Sequence, residues 1–184
     1  MVEKKEIFIS VDIETSGPIP GEYDLLSIGA CFIDSPNETF YCELKPVSNN
    51  ADPEALSVTG FNLEKLAEDG LNPILAMKEF GIWINDHINE NEIPIFVGFN
   101  ASFDWSFINY YFHKYLGKNP FGFSALDVKS LYMGRFCCKW TDTKSSMISK
   151  KLSPLLKGNH NALQDALFQA ELFRLVQKTL HIGS

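Results

Sequence analysis

The sequence predicts an α/β domain of helices layered on a mixed sheet. Three observations predict it: an opening run of three strand-like segments, a later alternation of helix and strand, and a composition that excludes disorder. The 184 residues are 45% apolar and 21% charged and include 15 Phe, 6 Tyr and 3 Trp. A chain of that length is accommodated by one globular domain, 1–184. Ile7-Phe8-Ile9-Ser10-Val11-Asp12-Ile13 reads as a buried strand. Leu25 to Ile33 and Thr39 to Leu44 read as two more, joined by the turn Asp34-Ser35-Pro36-Asn37 and antiparallel to their neighbours. Asn72-Pro73 supplies an N-cap and a first-turn proline to a helix bearing Ile74, Met77, Phe80, Ile84 and Ile88 at helical spacing. Ile93 to Phe99 then follows a crossover and so lies parallel to a strand already present. A helix from about Asp104 to Tyr115 and a short strand at Ser124 to Val128 come next. A last helix carries Leu163, Ala166, Leu167, Ala170, Phe173 and Val176 on one face.

Composition also bounds the setting. No apolar run approaches the ~18 residues of a membrane span, and the charged start Met1 to Glu6 is unlike a secretory signal. An intracellular, cytoplasmic location is expected. The four cysteines lack a C-x-x-C spacing and read as reduced, mostly buried thiols. The net charge of −7 hides an asymmetry: residues 1–95 hold 18 acids against 5 bases, residues 96–184 hold 5 against 11. Six bases (Arg135, Lys139, Lys144, Lys150, Lys151, Lys157) face a single acid, Asp142, in one stretch. Such a run is either a solvated loop or, beside a reactive site, a guide for a polyanion.

Carboxylates that interrupt apolar segments are costly unless paired or bound to a cation. Asp12 and Glu14 stand two apart at the end of the first strand, so both side chains point to the same face. Taken alone the pair is the common feature of two exposed acids; together with a divalent ion it becomes a binding edge for a hard cation such as Mg²⁺ or Mn²⁺. Asp104 follows a strand where a helix begins, and Asp165 lies on or beside the apolar face of the last helix, five residues after His160. Each alone has an ordinary explanation. Four acids and a histidine at a strand end, a strand–helix junction and a last helix form a joint pattern.

Asp12-Ile13-Glu14-Thr15-Ser16-Gly17, then Asn100-Ala101-Ser102-Phe103-Asp104, then His160-Asn161-Ala162-Leu163-Gln164-Asp165 resemble the DEDDh, or DnaQ-like, 3′–5′ exonuclease superfamily over nearly the whole chain. The resemblance implies a ribonuclease H-like three-layer fold with a central mixed five-stranded sheet. It implies a metal-dependent enzyme that hydrolyses single-stranded DNA or RNA from the 3′ end and releases nucleoside 5′-monophosphates. It further implies that Asp12, Glu14, Asp104 and Asp165 bind two Mg²⁺ or Mn²⁺ ions and that His160 is the general base. Asn100 and the backbone around Thr15, Ser16 and Gly17 are the implied holders of the terminal nucleotide; Phe103 either stacks on a base or packs in the core.

Two departures concern the nucleotide pocket. Pro18 follows Gly17 where relatives often place leucine or phenylalanine, and Thr59 stands where proofreading relatives often carry histidine. Two other readings remain open at this stage: an oligoribonuclease-like enzyme for very short oligonucleotides, and a non-catalytic binding module on the same fold. Retention of all five chemical positions argues against the second. Neither the choice of DNA or RNA nor the existence of a homodimer is fixed by the sequence.

Overall fold

Alternation along the first strand sets the layering. A computed structural model describes residues 4–181; Met1 to Glu3 of the charged start lie outside the described residues. In β1 (Lys5–Thr15), Ile9, Val11 and Ile13 pack into one core, while Phe8 packs into another on the opposite face, on which Ser10, Asp12 and Glu14 also lie. β2 (Leu25–Phe32) runs antiparallel to β1 and β3 (Thr39–Glu43) antiparallel to β2; β4 (Glu92–Gly98) is parallel to β1 and β5 (Ala125–Asp127) parallel to β4. The sheet order is β3-β2-β1-β4-β5.

Helices cover both faces. α3 (Pro73–Asp86) and α4 (Ala101–Leu116) bring Met77, Phe80, Ile84, Phe107, Ile108 and Phe112 onto the Ile9–Val11–Ile13 face. α5 (Val128–Phe136), α6 (Ser145–Leu152) and α7 (Ala162–His181) cover the other with Val128, Tyr132, Ile148, Ala170, Phe173 and Val176. The result is the α/β layering on a mixed sheet that the sequence predicts, in the three-layer, five-stranded form that the resemblance implies. Among the described residues no helix is long and apolar enough to cross a membrane.

Several details differ from expectation. Residues 53–69, unassigned from sequence, form two short helices, α1 (Pro53–Thr59) and α2 (Leu63–Asp69), each started by a side-chain cap, Asp52 and Asn62. The basic stretch is not a plain loop: it contains a 3₁₀ turn (Trp140–Thr143) and α6. Ile74 is exposed because Pro73 and Ala76 occupy the buried positions of the first turn, and Ile88 falls beyond the end of α3, which closes at Asp86 with His87 as its C-cap. Cys31 and Cys42 are buried, but Cys137 is exposed and Cys138 half-buried. Cys137 takes a left-handed conformation just after α5, where the chain turns outward.

The position of the site follows from strand lengths. β1 pairs with β4 only as far as Ser10 opposite Val97, so Val11 to Thr15 project past the end of β4 with β2 alone beside them. That vacated edge, at the carboxyl end of a central strand, is where α/β sheets gather their ligands. A bulge between Glu14 and Thr15 ends the regular pairing, and the Leu25 N–H there donates to the Tyr111 hydroxyl at 2.9 Å.

Candidate active site

Four segments meet at the projecting end of β1. Asp12 and Glu14 come from β1 itself. Asp104 arrives from the first turn of α4, where its Oδ1 accepts from the Ile13 N–H at 3.3 Å. That N–H is available because β4 has already ended. α4 starts at Ala101, three residues before the expected position, since Asn100 turns the chain in a left-handed conformation (φ 66°) and Asp127 Oδ2 accepts from the Ala101 N–H at 2.9 Å. Asp127 also caps α5 through Ser130, so one carboxylate fixes two helix starts.

Asp165 and His160 are placed by the close approach of α7 to the sheet. Gly29, directly opposite Asp12, lies so close to α7 that a Cβ there would fall 2.1 Å from the Ala162 carbonyl carbon. The Ser10 hydroxyl donates to the Ala166 carbonyl at 2.8 Å and holds the same turn down. The loop before α7 then wraps around Asp165, whose two oxygens accept from the N–H groups of Asn159 at 2.8 Å and His160 at 3.0 Å. His160 has φ 59°, and one ring nitrogen lies within 4.8 Å of carboxylate oxygens of both Glu14 and Asp165.

These acids repel one another. Burial, followed by the charges of Asp104, Asp165 and Glu14, raises the Asp12 pKa well above the usual range. Burial and Asp165 push Glu14 up to about 7, and Asp104, 5% exposed, is pushed up to about 8, chiefly by burial. The described ion pairs, Lys5–Glu92 and His87–Glu38, lie elsewhere. Ser27, across from Glu14 in register, has a buried hydroxyl with no partner among the described residues. Oxygen-rich, and with no ion-pair partner for these acids among the described residues, this donor set fits hard divalent ions.

Two residues escaped sequence reasoning. Gln169, on the turn of α7 after Asp165, donates through Nε2 to Asp12 Oδ1, and its Oε1 accepts from the Phe99 N–H at 2.9 Å. It ties the first acid to the end of β4. Asp127 is the other. Only the fold brings either one to the site, so no local pattern announces them.

The expected nucleotide-binding residues divide. Glu14, Thr15 and Phe103 line a cleft of about 200 Å³ together with Val58 and Thr59, so Thr59 does face it. Phe103 is half-buried against Phe107, with part of its ring free. The side chains of Thr15 and Ser16 are committed to the backbone: Thr15 Oγ1 donates to the Gly17 carbonyl at 2.8 Å, and Ser16 Oγ donates to the Asn50 carbonyl at 2.9 Å. Gly17 lies under the Tyr23 ring, where a side chain would collide. Asn100 is exposed beside α4 and makes no cap bond. A larger cavity, about 470 Å³, is lined by Asp12, Asp165, His160, Phe99, Lys157 and the serines of α6. Of the basic stretch, only Lys157 reaches it. Arg135 is bonded to Thr179, and the Lys151 ammonium sits 3.7 Å from the Phe136 ring centroid.

Asn100 allows a separation of fold from binding. Asn100→Gly keeps the left-handed turn and removes the amide. KM for a strand is expected to rise several-fold with the melting temperature unchanged; a wild-type KM would limit Asn100 to the turn.

The geometry coincides with a family assignment. The model of the 3′–5′ exoribonuclease Rv2179c-like domain matches residues 7–177. The chain belongs to the Rv2179c-like family. This Rv2179c-like domain is 59% identical over 174 residues to a 3′–5′ DNA exonuclease, Cap18, of Escherichia coli, spanning 95% of this chain and 93% of the relative. Its fold is that of the DEDDh nucleases. The nuclease domain of 3′hExo, a DEDDh family member bound to rAMP, superposes with a TM-score of 0.73 at 12% identity, covering 96% of this chain and 92% of the other. E. coli exonuclease I in complex with a dT13 oligonucleotide gives 0.74 at 16% identity, covering 97% and 43%. The Mg²⁺- and Mn²⁺-bound Pop2p of S. pombe gives 0.69 at 17% identity, covering 96% and 85%.

Proposed function

We propose that this Rv2179c-like domain is a 3′–5′ exonuclease that removes nucleoside 5′-monophosphates from the end of single-stranded DNA. The observation that carries the reading is the convergence of Asp12, Glu14, Asp104, Asp165 and His160 at the end of β1. The DNA preference is supported by the 59% identity to an enzyme named a DNA exonuclease. An RNA substrate is the second reading, favoured by the family description.

Asp12, Glu14, Asp104 and Asp165 would hold two Mg²⁺ or Mn²⁺ ions, which when bound acidify a water and neutralise charge on the leaving oxygen. The rest falls to the chain. The cleft of Glu14, Thr15, Val58 and Phe103 receives the terminal nucleotide and orients its 5′ phosphate toward Asp12. His160, held by the Asp165–main-chain bonds, takes the proton from the attacking water. Water oxygen bonds to phosphorus, the bond from phosphorus to the preceding 3′ oxygen breaks, that oxygen takes a proton from solvent to become the free 3′ hydroxyl of the shortened strand, and His160 returns its proton to solvent. Gln169 keeps Asp12 from rotating out of line.

The test uses 5′-labelled DNA and RNA strands of matched sequence. A ladder shortening from the 3′ end, faster on DNA, is expected; faster loss of RNA would transfer the reading to the second substrate. His160→Ala should lower kcat by ~10²–10⁴ with metal affinity retained, as for loss of a general base. An unchanged kcat would remove His160 from the chemistry.

A further inference from the structure

A row of rings and a cation leads away from the larger cavity. Phe99, at the turn between β4 and α4, forms part of its wall. The ammonium of Lys129, on the first turn of α5, lies 5.8 Å from the Phe99 ring centroid and 4.4 Å from that of Trp140. One cation thus touches a ring inside the cavity and a ring outside it. Trp140 opens the 3₁₀ turn and is 49% exposed, whereas Trp83 and Trp105 pack against the core. The chain runs on from Trp140 through Lys144 to Ser145 and Ser146, which form another wall of the same cavity. Lys129 has no carboxylate partner among the described ion pairs. Exposed Lys139 and Lys144 flank the indole along the chain.

Lys114 and Lys151 also lie over pairs of rings, but among the described cation–ring contacts only that of Lys129 includes a ring in the wall of the cavity that holds Asp12 and Asp165. This arrangement is well suited to single-stranded nucleic acid, whose bases stack on aromatic faces and whose phosphates seek cations. The two cavities share no lining residue and meet at the acids, with Glu14 in one and Asp12 and Asp165 in the other. From the Phe103 cleft, the Phe99 cavity therefore lies on the far side of the acids.

We infer that Phe99, Lys129 and Trp140 form a track for the substrate strand on the 5′ side of the scissile phosphate, a base stacking on Trp140 and a phosphate held by Lys129. The inference rests on the exonuclease reading. It places a length-dependent contact outside the catalytic centre and separates Lys129 from the other basic residues of the second half.

Trp140→Ala should raise KM about tenfold or more on a strand of about a dozen nucleotides, the scale of losing one stacked base. KM on a dinucleotide, too short to reach Trp140, should not change, and Trp140→Phe should restore most of the loss. Lys129→Met, which keeps the stem, should reduce the slope of log KM against log salt by about one. Binding is read before appreciable hydrolysis in the slowed His160→Ala background, where an oligothymidylate should quench indole fluorescence and Trp140→Phe should abolish the quench. If wild type degrades the strand but Trp140→Ala matches it at both lengths, or loses equally at both, the track is wrong. If Trp140→Ala fails to fold, Trp140→Phe and Lys129→Met decide on the quench and the salt slope. Absence of any strand hydrolysis by wild type, with the quench intact, would count against the exonuclease reading and leave the track standing.

Discussion

Asp12→Asn is expected to abolish strand hydrolysis while making the metal-free protein more stable at alkaline pH. Asp12 faces Asp104, Asp165 and Glu14, and burial together with their charges raises its pKa. Glu14 and Asp104 are pushed up to about 7 and about 8. Unfolded carboxylates titrate near ~4, so between that value and about 8 the folded, metal-free protein binds more protons than the unfolded chain. Its stability therefore falls as pH rises through this window, the reverse of the usual carboxylate pattern. Removing one charge relieves part of this destabilisation, and each kcal/mol of stability regained is worth ~2–4 °C in melting temperature for a chain of this size. Thermal melts in chelator at pH 5 and pH 8 should show wild type losing stability between them and Asp12→Asn losing less. Divalent cation should reverse the trend, since it favours the ionised acids. A mutant that unfolds, or a wild type more stable at pH 8 than at pH 5 in chelator, would assign Asp12 a structural role instead.

Gly29→Ala is expected to lower kcat by about 10²-fold or more without touching a chemical group. The added Cβ would meet backbone atoms of Ala162 and Leu163 at 2.1 to 2.3 Å. Main chain has no rotamer to give way, so the first turn of α7 must lift from β2. Asp165 and His160 travel with it, away from Asp12 on the strand next to Gly29. Displacements near 1 Å cost about this much in rate where reacting groups must be aligned. Overpacking adds ~1–3 kcal/mol of destabilisation. Circular dichroism at a temperature well below the melt should remain native while kcat falls. A wild-type kcat would mean that α7 is positioned by Ser10 and the Asp165 loop, without need of the close approach.

The contrast between Asp12 and Gly29 shows what a sequence can disclose. Asp12, Glu14, Asp104 and Asp165 stood out as candidates because carboxylates in apolar segments violate local burial preferences, and it was the resemblance of their order, with His160, to the DEDDh pattern that joined the five into one site. Gly29 sits in an apolar strand where a glycine has several ordinary causes, and only the register with Asp12 and the arrival of α7 give it meaning. Gln169 and Asp127 are similar: their partners, Asp12, Phe99 and Ala101, stand far away in sequence. The strands were readable as short apolar runs bounded by turn residues, including β4 after its crossover. The start of α3 was readable from Asn72-Pro73, but that of α4 was not, because α4 follows a left-handed Asn100 and its Ala101 N–H is capped by Asp127, far away in sequence. The basic stretch carried a compositional signal that folding then divided, sending Arg135 to Thr179, Lys151 to Phe136 and Lys157 to the cavity. Net charge along a chain records no side-chain direction.

The central claim is that four carboxylates and a histidine at the end of β1 use divalent cation to cut the last phosphodiester bond of a strand. The most direct measurement follows a 5′-labelled single strand incubated with the purified protein in Mg²⁺, in Mn²⁺ and in EDTA, with mononucleotide release monitored in parallel. Stepwise shortening from the 3′ end with release of 5′-monophosphates in either metal, and none in EDTA, is the expected result. Full turnover in chelator, or internal cleavage giving fragments without mononucleotides, would contradict it.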